Sequence, residues 1–382
     1  MPADPLSSLL SSQSRRDRVT HVEVRPPRGA ETSPWPGWAH PQVVGALGRR
    51  GIGQPWSHQT QAAELAWAGH HVILSTGTAS GKSLAFQLPA LTAALQTRGP
   101  RGERGASTLY LAPTKALAHD QYAALLGLDL DVRLATHDGD SSREERDWTR
   151  EHAEYVLTNP DMLHHSLLPG HQRWAEFWRT LRFVVVDESH HYRGVFGAHV
   201  AQVLRRVSRV AALHGARPTF VLASATAASP GPSASRLIGE PVIEVTTDGS
   251  PRGAVTVALW EPPLTGALGE NGAPTRRAAA AETADLLADL VADGLPTLAF
   301  VRSRRGTEFV ALSAAASLEE VSPGLGNRVA AYRGGYLPEE RRAIEQDLRA
   351  GRLTGLAATN ALELGIDIAG LDVVLIAGFP GT

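Results

Sequence analysis

Short apolar segments that alternate with helix-like segments constrain the fold of this 382-residue chain more than any other feature. The apolar segments are rich in Val, Leu and Ala and are nearly continuous, which is typical of strands buried on both faces of a parallel sheet. The helix-like stretches between them fit crossover connections. The sequence therefore predicts an α/β fold with parallel sheets flanked by helices. The apolar segments are 71–75, 107–113, 154–160, 182–188, 219–226, 296–303, 328–335, 353–360 and 373–380.

The length of the chain and its turn-rich segments predict two domains. A chain of 382 residues is long for a single hydrophobic core. Pro, Gly and Ser cluster at 228–235, and a second turn-rich piece follows at 246–253. We therefore expect domains at 41–248 and 249–382. Residues 1–40, rich in Pro, Ser and Arg, are expected to form a loosely structured arm.

The composition limits the class of protein. The formal net charge of −2 argues only mildly against a nucleic-acid partner, because a local basic groove can bind one. The chain has no cysteine, which excludes disulfides and cysteine-ligated zinc and permits a reducing cytoplasm, the expected compartment. No apolar stretch has the length of a membrane span, so no membrane partner is expected. The histidines at 70–71, 164–165 and 190–191 are adjacent and cannot share a helix face as zinc ligands, so no zinc is expected.

A glycine-rich loop follows the first apolar segment, where residues 71–83 read HVILSTGTASGKS before a helix-like stretch. Backbone N–H groups of such a loop can wrap phosphates at the positive end of the helix. Lys82 would reach the β- and γ-phosphates, and the Ser83 hydroxyl would bind Mg²⁺. Thr76 stands where the strict pattern has its first glycine, and the loop alone is also compatible with a flexible turn. The loop comprises Thr76, Gly77, Thr78, Ala79, Ser80 and Gly81.

An acidic pair ends the fourth apolar segment, RFVVVDESH. Such a pair lies at the carboxyl edge of a parallel sheet, where α/β folds bind ligands. Asp187 can hold Mg²⁺ through water, while Glu188 can orient and deprotonate an attacking water molecule. His190 could couple the nucleotide to its surroundings. Alone the pair is often a solvated turn; after a phosphate-binding loop it favours nucleotide hydrolysis.

These two motifs belong to an ordered series. TGTASGKS, APTKALAHDQ, TNPDM, DESH, SAT and ATNALELGID follow in the order found in superfamily 2 helicases of the DExH type, which the chain resembles from about residue 19 to its end. PWSHQ, DESHHYRGVFGAHV, LASAT, FVRSRRG and NALELGID resemble one branch, the RecQ-related mitomycin-repair-factor (MrfA-type) helicases. The resemblance implies two tandem RecA-like domains that use ATP and Mg²⁺ and bind single-stranded or partly duplex DNA.

The resemblance also implies roles for residues of the first domain. Gln59 matches the glutamine that recognises adenine, although alone it would be a capping or surface glutamine. Ser224 and Thr226 match the motif that links hydrolysis to domain movement, although alone they would be an ordinary strand-end turn. Four residues that follow strands match contacts to the phosphates of one nucleic-acid strand: Thr114, Lys115, Thr158 and Asn159.

In the second domain the resemblance implies that a basic cluster binds nucleic acid. Arg302, Arg304 and Arg305 follow an apolar segment and would contact phosphate, although such a cluster alone is usually a solvated edge. Thr359 matches a threonine that touches the nucleic-acid backbone, and Asp367 is expected to face the nucleotide. These DNA contacts all go to phosphate, so we expect salt-dependent and sequence-tolerant binding.

The resemblance implies an ATP-dependent DNA helicase that moves 3′ to 5′ and acts in DNA repair. The chain ends at Thr382, before the arginine-bearing element that follows in the family. We therefore expect an incomplete second domain and poor ATP hydrolysis by residues 1–382. Two alternatives stay open: a truncated, non-hydrolysing module that binds ATP and nucleic acid, and an RNA-directed remodelling ATPase, which would share every motif. The oligomeric state does not follow from the sequence.

Overall fold

The chain folds into two compact units. The computed structural model describes residues 5–11, 13–100, 102–269, 272–359 and 370–378. A central unit comprises Pro26–Ala254, and a flanking unit comprises Met1–Arg25 together with Val255–Thr382. The expected N-terminal arm is thus divided between the two units. The physical reason is strand pairing, because Val19–Arg25 is hydrogen-bonded to Val255–Trp260.

Each apolar segment of the sequence overlaps one strand, and the predicted α/β class is confirmed. Strands β1 to β15 are, in chain order, Val19–Arg25, Val72–Ser75, Ser107–Leu111, Leu134–Thr136, Tyr155–Thr158, Leu181–Val186, Thr219–Ser224, Ile243–Val245, Val255–Trp260, Leu264–Leu268, Pro274–Arg276, Thr297–Phe300, Val329–Tyr332, Gly355–Ala358 and Val373–Ile376.

Helices connect most of these strands. Helices α1 to α14 are, in chain order, Pro5–Leu9, Gln13–Arg16, Pro41–Arg49, Ser57–Trp67, Ser83–Thr97, Lys115–Leu126, Arg143–His152, Pro160–Met162, Ala175–Arg179, Gly194–Leu213, Pro230–Ile238, Ala279–Ala292, Arg304–Val321 and Pro338–Arg349. A π-helical turn, Leu163–Leu167, follows α8. Among the described residues, no helix combines the length and the apolar character that a membrane span requires.

The central unit is built on a seven-stranded parallel sheet with the order β4-β5-β3-β6-β7-β2-β8. All residues of β2, β3, β5 and β7 are buried, as expected for a sheet covered on both faces. Successive side chains point to opposite faces and enter two separate hydrophobic cores. One core contains Leu74, Tyr110, Leu157 and Val185, and the other contains Ile73, Leu109, Val156 and Val184.

The flanking unit has a four-stranded parallel sheet with the order β13-β14-β12-β15. Helices α12 and α13 pack on one face of this sheet through residues that include Leu287 and Val310. Helix α1 packs against α12 through Leu9, which holds the start of the chain on this unit. Two antiparallel pairs complete it: β1 with β9, and β10 with β11.

Candidate functional site

The predicted phosphate-binding loop joins β2 to α5. Helix α5 begins at Ser83, with Lys82 as its N-cap residue. Gly81 adopts a φ of +62°, and Ala79 has a φ of 60°, a conformation that costs a residue with a side chain free energy. The Lys82 Nζ donates to the carbonyl oxygen of Gly77 at 2.9 Å, and the Ser80 hydroxyl donates to the same carbonyl at 2.7 Å. The loop thus curls back on itself in front of the helix N-terminus.

The acidic pair lies at the end of β6. Asp187 is 6 % exposed; its carboxylate accepts a hydrogen bond from the Tyr110 hydroxyl at 2.6 Å and another from the Glu188 N–H at 2.8 Å. Burial raises the pKa of Asp187, although these two hydrogen bonds and the Lys82 charge oppose the rise. Burial and the Asp187 charge likewise raise the pKa of Glu188, which has a left-handed φ of 46°. Glu188 is therefore a stronger base than an ordinary glutamate.

His190 connects the acidic pair to the SAT motif, and its ring lies 3.2 Å from the Glu188 carboxylate. Its Nδ1 accepts a hydrogen bond from the Ala225 N–H at 3.4 Å. The Ala225 carbonyl in turn accepts from the Ser224 hydroxyl at 2.8 Å and from the Ser75 hydroxyl at 2.9 Å. Burial, with the neighbouring His191 and Arg193, lowers the pKa of His190 to about 4, so its imidazole is neutral at pH 7. Thr226, the last SAT residue, is exposed.

A cation could be held at this edge by oxygen or nitrogen ligands. The predicted Mg²⁺ residues, Ser83 and Asp187, offer a hydroxyl and a carboxylate, which suit that ion. Within the described ranges, one group of three potential ligand residues has all its ligand atoms within 4.8 Å of one another: Glu188, His190 and His191. This group includes neither of the two predicted Mg²⁺ residues.

The segment Trp56–Gln59 packs against the loop. The Gln59 side-chain oxygen accepts from the Trp56 N–H at 2.8 Å, and its nitrogen donates to the Gly81 carbonyl at 2.8 Å. Both polar ends of Gln59 are therefore engaged with the protein backbone. A Cβ added to Gly81 would lie 2.5 Å from the Gln59 amide nitrogen and 2.9 Å from the Trp56 ring. This close approach requires glycine at position 81.

Residues that sequence reasoning missed also border the loop. His58 is 1 % exposed, and its Nε2 lies 2.9 Å from the Ser80 carbonyl oxygen. The Asp248 carboxylate lies beside Gly77, where an added Cβ would be 3.3 Å from its Oδ2. Tyr110 reads as a core residue of β3 because it stands in the middle of an apolar segment. The only sequence signal for His58 is its position beside Gln59.

The predicted nucleic-acid residues of the central unit follow β3 and β5. Thr114 caps α6 by accepting from the Leu117 N–H at 3.3 Å, and Asn159 caps α8 by accepting from the Met162 N–H at 2.9 Å. Thr158 is 1 % exposed and donates its hydroxyl to the His137 carbonyl at 2.6 Å. Of the four predicted residues, Lys115 alone carries a charge, and it is exposed and paired with Asp140.

The Lys115 ion pair joins the turn after β3 to the loop after β4. The Lys115 Nζ lies 2.9 Å from the Asp140 carboxylate, and both side chains are well exposed, at 44 % and 80 %. In the same loop, Asp138 accepts hydrogen bonds from the Asp140 N–H at 2.8 Å and from the Ser141 N–H at 3.2 Å. Its carboxylate also lies 2.9 Å from the His119 ring on α6. The loop is thus held beside the start of α6.

In the flanking unit the predicted residues lie at the carboxyl edge of the four-stranded sheet. Arg302, Arg304 and Arg305 follow β12 and are exposed. The Arg304 guanidinium lies near Gly334, where an added Cβ would be 3.5 Å from its Nη2. Thr359 follows β14, is 7 % exposed, and donates its backbone N–H to the Tyr332 carbonyl at 3.2 Å. Asp367 lies outside the described residues.

The strand order separates the central unit's predicted residues into two neighbouring groups. Strands β6, β7 and β2 are adjacent and carry the acidic pair, the SAT motif and the glycine-rich loop. Strands β5 and β3 are adjacent on the other side of β6 and carry the turns with Asn159 and Lys115. All these strands are parallel, so both groups lie at the same edge of the sheet.

Two protein-family models match the chain. The DEAD/DEAH box helicase model matches residues 56–232, which contain the loop, the acidic pair and the SAT motif. The helicase conserved C-terminal domain model matches residues 282–382 in the flanking unit.

Individual relatives extend the likeness over the whole chain. The chain is 38% identical to the ATP-dependent helicase YprA of Bacillus subtilis, over 100% of its own length and 50% of that protein. It is 36% identical to the ATP-dependent helicase hrq1 of Schizosaccharomyces pombe, over 87% of its own length and 31% of that protein. The chain thus spans half the length, or less, of these curated relatives.

Solved helicase structures also superpose on this chain. A crystal structure of the DUF1998 helicase MrfA bound to DNA superposes with a TM-score of 0.90 and 36% identity, over 98% of this chain and 52% of that chain. The structure of MrfA bound to DNA and AMPPNP gives the same TM-score of 0.90, over 99% of this chain and 51% of that one.

Proposed function

We propose that this chain, which belongs to the MrfA-type superfamily 2 helicases, is the motor part of an ATP-dependent DNA helicase that acts 3′ to 5′ in DNA repair. One observation carries the proposal: the glycine-rich loop, the acidic pair and the SAT motif occupy adjacent strand ends at one edge of a parallel sheet. Lys82 is partly buried; burial lowers its pKa, although the charges of Glu188 and Asp187 oppose the fall. The MrfA structures with DNA and AMPPNP support both proposed ligands.

For ATP, the residues present fit a nucleotide with its Mg²⁺. The Ser83 hydroxyl and the Asp187 carboxylate are oxygen ligands of the kind Mg²⁺ prefers, and the metal supplies charge neutralisation on the phosphates. Lys82 would exchange the Gly77 carbonyl for phosphate oxygens, and the loop amides from Gly77 to Gly81 would wrap the phosphates. The Gln59 amide is proposed to contact adenine, which requires it to release at least one of its two backbone bonds.

Hydrolysis is assigned to Glu188. Its raised pKa suits a group that takes the proton from the attacking water, and general-base catalysis of this kind contributes about 10²–10⁴-fold. His190 Nδ1 lies between the Glu188 carboxylate, 3.2 Å away, and the Ala225 nitrogen, 3.4 Å away. We assign it the role of reporting changes at the acidic pair to Ser224 and Thr226.

DNA would bind through phosphate contacts. Lys115 in the central unit and Arg302 and Arg304 in the flanking unit are exposed and carry positive charge. Thr114, Thr158 and Asn159 hold the turns that present backbone amides, and Thr359 has the same role after β14 in the flanking unit. Contacts of this kind position a strand without reading its sequence.

The test measures nucleotide binding first and turnover second, with Lys82→Ala and Glu188→Gln compared with the wild type. We expect Lys82→Ala to weaken Mg²⁺–AMPPNP binding at least tenfold. Glu188→Gln should bind AMPPNP normally. In a form of the protein as long as the curated relatives, it should lose about 10²–10⁴-fold in DNA-stimulated ATP turnover. Arg209→Gln, at an exposed position of α10, is the control and should change neither quantity.

Two outcomes would contradict the proposal. If ATP turnover survives both Lys82→Ala and Glu188→Gln, the nucleotide site lies elsewhere. If single-stranded RNA stimulates turnover and single-stranded DNA does not, the chain is an RNA-directed ATPase.

A further inference from the structure

The two chain segments that join the units run side by side. In the pair formed by β1 and β9, His21 lies opposite Leu259 and Arg25 lies opposite Val255. Beyond the unit boundary, Arg28 lies opposite Arg252, and their backbones exchange hydrogen bonds of 2.8 and 2.9 Å. The register is the same on both sides of the boundary. Each unit therefore contains one antiparallel section of these connections, β1 with β9 in the flanking unit and Arg28 with Arg252 in the central unit. We call the two sections together the ribbon.

The ribbon contains a built-in point of weakness. Between the pairs at Arg25 and Arg28, one connection carries Pro26 and Pro27 and the other carries Gly253 and Ala254. Proline has no N–H group, so one strand cannot donate a ladder hydrogen bond here. On the other strand, a Cβ added to Gly253 would meet none of the described atoms within 4 Å. We call residues 26–27 and 253–254 the ribbon hinge.

The central-unit end of the ribbon is attached to the glycine-rich loop through His58. The ribbon's last pairing bond runs from the Glu31 N–H to the Gly249 carbonyl at 2.8 Å. The Gly249 N–H then donates to His58 Nδ1 at 3.0 Å. Since Nδ1 accepts, the hydrogen of the neutral ring is on Nε2, which donates to the Ser80 carbonyl. One imidazole therefore joins the ribbon to the loop.

The fit around this connection is tight. A Cβ added to Gly249 would lie 2.2 Å from the Ser57 hydroxyl and 3.0 Å from the Glu31 carbonyl oxygen, so the backbone approaches too closely for any side chain. His58 itself is 1 % exposed. A displacement of Ser80 therefore moves the ring against the ribbon instead of being absorbed by solvent.

A second contact fixes the same end of the ribbon. The Asp248 carboxylate accepts from the Ser250 N–H at 2.9 Å and lies 3.0 Å from the Arg28 guanidinium, which joins the two ribbon strands. Burial alone would raise the pKa of Asp248, but the hydrogen bonds from Ser250 and Arg28 outweigh it and lower the pKa to about 2. This carboxylate lies beside Gly77, so the ribbon borders the loop near both of its ends.

We infer that His58 is a positioning residue that couples the glycine-rich loop to the ribbon hinge, so that nucleotide binding in the loop is transmitted to the flanking unit. Opening of the loop around phosphates shifts the Ser80 carbonyl, and the shared imidazole passes this shift to Gly249. The pairs at Glu31 and Arg28 carry it along the ribbon to the hinge. The inference rests on the proposed function in one respect, that the loop binds a nucleoside triphosphate.

Two substitutions of His58 test its hydrogen bonds to Gly249 and to Ser80 separately. In His58→Asn, the side-chain oxygen can occupy the place of Nδ1 and accept from Gly249, but no donor reaches Ser80. In His58→Gln, the amide nitrogen can occupy the place of Nε2 and donate to Ser80, while the bond from Gly249 is lost. Each variant keeps one anchor and breaks the bridge.

His71→Asn is the matched control. His71 is a partly buried histidine at the start of β2, and its Nδ1 accepts from the Phe220 N–H at 3.0 Å, a backbone bond of the same kind within the sheet. The ring lies at the end of the strand opposite the loop. Substitution there tests the loss of a histidine–backbone bond without touching the connection.

The chain has no cysteine, so a pair of fluorophores can be placed without other changes. Arg209→Cys in α10 and Glu320→Cys in α13 put one label on an exposed helical position of each unit. Energy transfer is measured with and without Mg²⁺–AMPPNP. We expect a nucleotide-dependent change in the wild type and in His71→Asn. Both His58 variants should bind AMPPNP within about threefold of the wild type and lose most of the change.

Any different result would contradict the inference. If the His58 variants bind AMPPNP and give the wild-type change, or if the wild type binds and gives no change, there is no coupling through His58. If either variant loses AMPPNP binding more than tenfold, His58 is a nucleotide-binding residue instead. If the wild type does not bind AMPPNP, the proposed function fails together with the inference. If it binds AMPPNP, only the inference can fail.

Discussion

The Tyr110 hydroxyl is the donor that keeps a buried carboxylate satisfied beneath the acidic pair. Tyr110→Phe removes this donor from Asp187 and leaves the carboxylate oxygen buried without it. We expect a loss of about 1–3 kcal/mol in the free energy of unfolding, measured by urea denaturation. We also expect weaker Mg²⁺-dependent nucleotide binding, because Asp187 is held less firmly.

Tyr155→Phe is the control for this prediction. Its hydroxyl is equally buried, and it has no hydrogen-bond partner among the residues that the structure describes. Removing it should therefore cost no stability. An equal loss in both variants would mean that ring packing, and not the bond to Asp187, accounts for the effect.

Glu154 gives a prediction about pH. It is fully buried at the start of β5 and paired with Arg98 and Arg133. Burial would raise its pKa, but the hydrogen bonds from these arginines lower it from 4.5 to about 2. A group with a lowered folded-state pKa contributes stability that is present above its unfolded pKa and is lost as the pH falls through the folded value.

Glu154→Gln should therefore destabilise the chain most at neutral pH. Removing the Glu154 charge leaves Arg133 without this carboxylate and leaves Arg98 with only the exposed Asp131. For this loss we expect about 3–5 kcal/mol at pH 7. The difference from the wild type should shrink between pH 4.5 and about 2, as the wild type itself loses the contribution. A difference that stays constant over this range, measured by urea denaturation, would contradict the assignment.

The sequence allowed the motif residues to be predicted but not their supporting partners. Lys82 and Asp187 stand next to glycines or acids that have a recognisable spacing. Tyr110 cannot be identified in this way, because its contact with Asp187 depends on the register in which β3 pairs with β6. The bond of His58 to Gly249 joins residues that are distant in sequence, so no local pattern reports it.

At the scale of elements, the long apolar segments were predictable and the short strands were not. Strands β4 and β8 have three residues each, too few for a hydrophobic pattern to distinguish them from loops. Strands β1 and β9 are largely exposed, so burial does not shape their sequences. Their pairing is set by the tertiary structure, which is why residues 1–40 read as an arm.

Substitutions in the turn after β3 and in the loop after β4 should change DNA binding in opposite directions. Lys115→Gln should weaken single-stranded DNA binding and reduce the salt slope of log K by about 0.7, the value for one phosphate contact on a single strand. Asp140→Asn removes the partner of Lys115 and a negative charge, so we expect tighter binding at low salt. Both are measured by fluorescence anisotropy over a range of salt concentrations.

Arg209→Gln is the charge-matched control for Lys115→Gln, since it removes one exposed positive charge from α10. If it weakens DNA binding as much as Lys115→Gln does, the effect reflects net charge alone. Weaker binding by Asp140→Asn would mean that the ion pair itself orders the DNA-binding loop.

At the scale of the whole molecule, each unit has hydrophobic cores of its own. Two cores cover the faces of the seven-stranded sheet, and others lie around the four-stranded sheet. Ligand that binds only the folded central unit should stabilise that unit by about 2.7 kcal/mol at a concentration of 100 Kd. We therefore expect Mg²⁺–AMPPNP to raise the unfolding temperature of one calorimetric transition.

Lys82→Ala provides the check on this prediction. In that variant AMPPNP should raise the unfolding temperature much less, because binding that is at least tenfold weaker cuts the stabilisation at the same concentration to about 1.4 kcal/mol or below. If AMPPNP instead shifts the whole trace uniformly in the wild type, the two units unfold as one cooperative body.

The ribbon has a consequence for the order of events during synthesis. Strand β1 leaves the ribosome first, but its partner β9 follows only after the entire central unit, about 230 residues later. At typical translation rates this delay is on the order of 10–50 s. Throughout that time the residues of β1, including Val22 and Val24, have no partner strand, while the central unit can already fold. The nascent flanking unit is thus the part of this protein most exposed to mispairing and to chaperones.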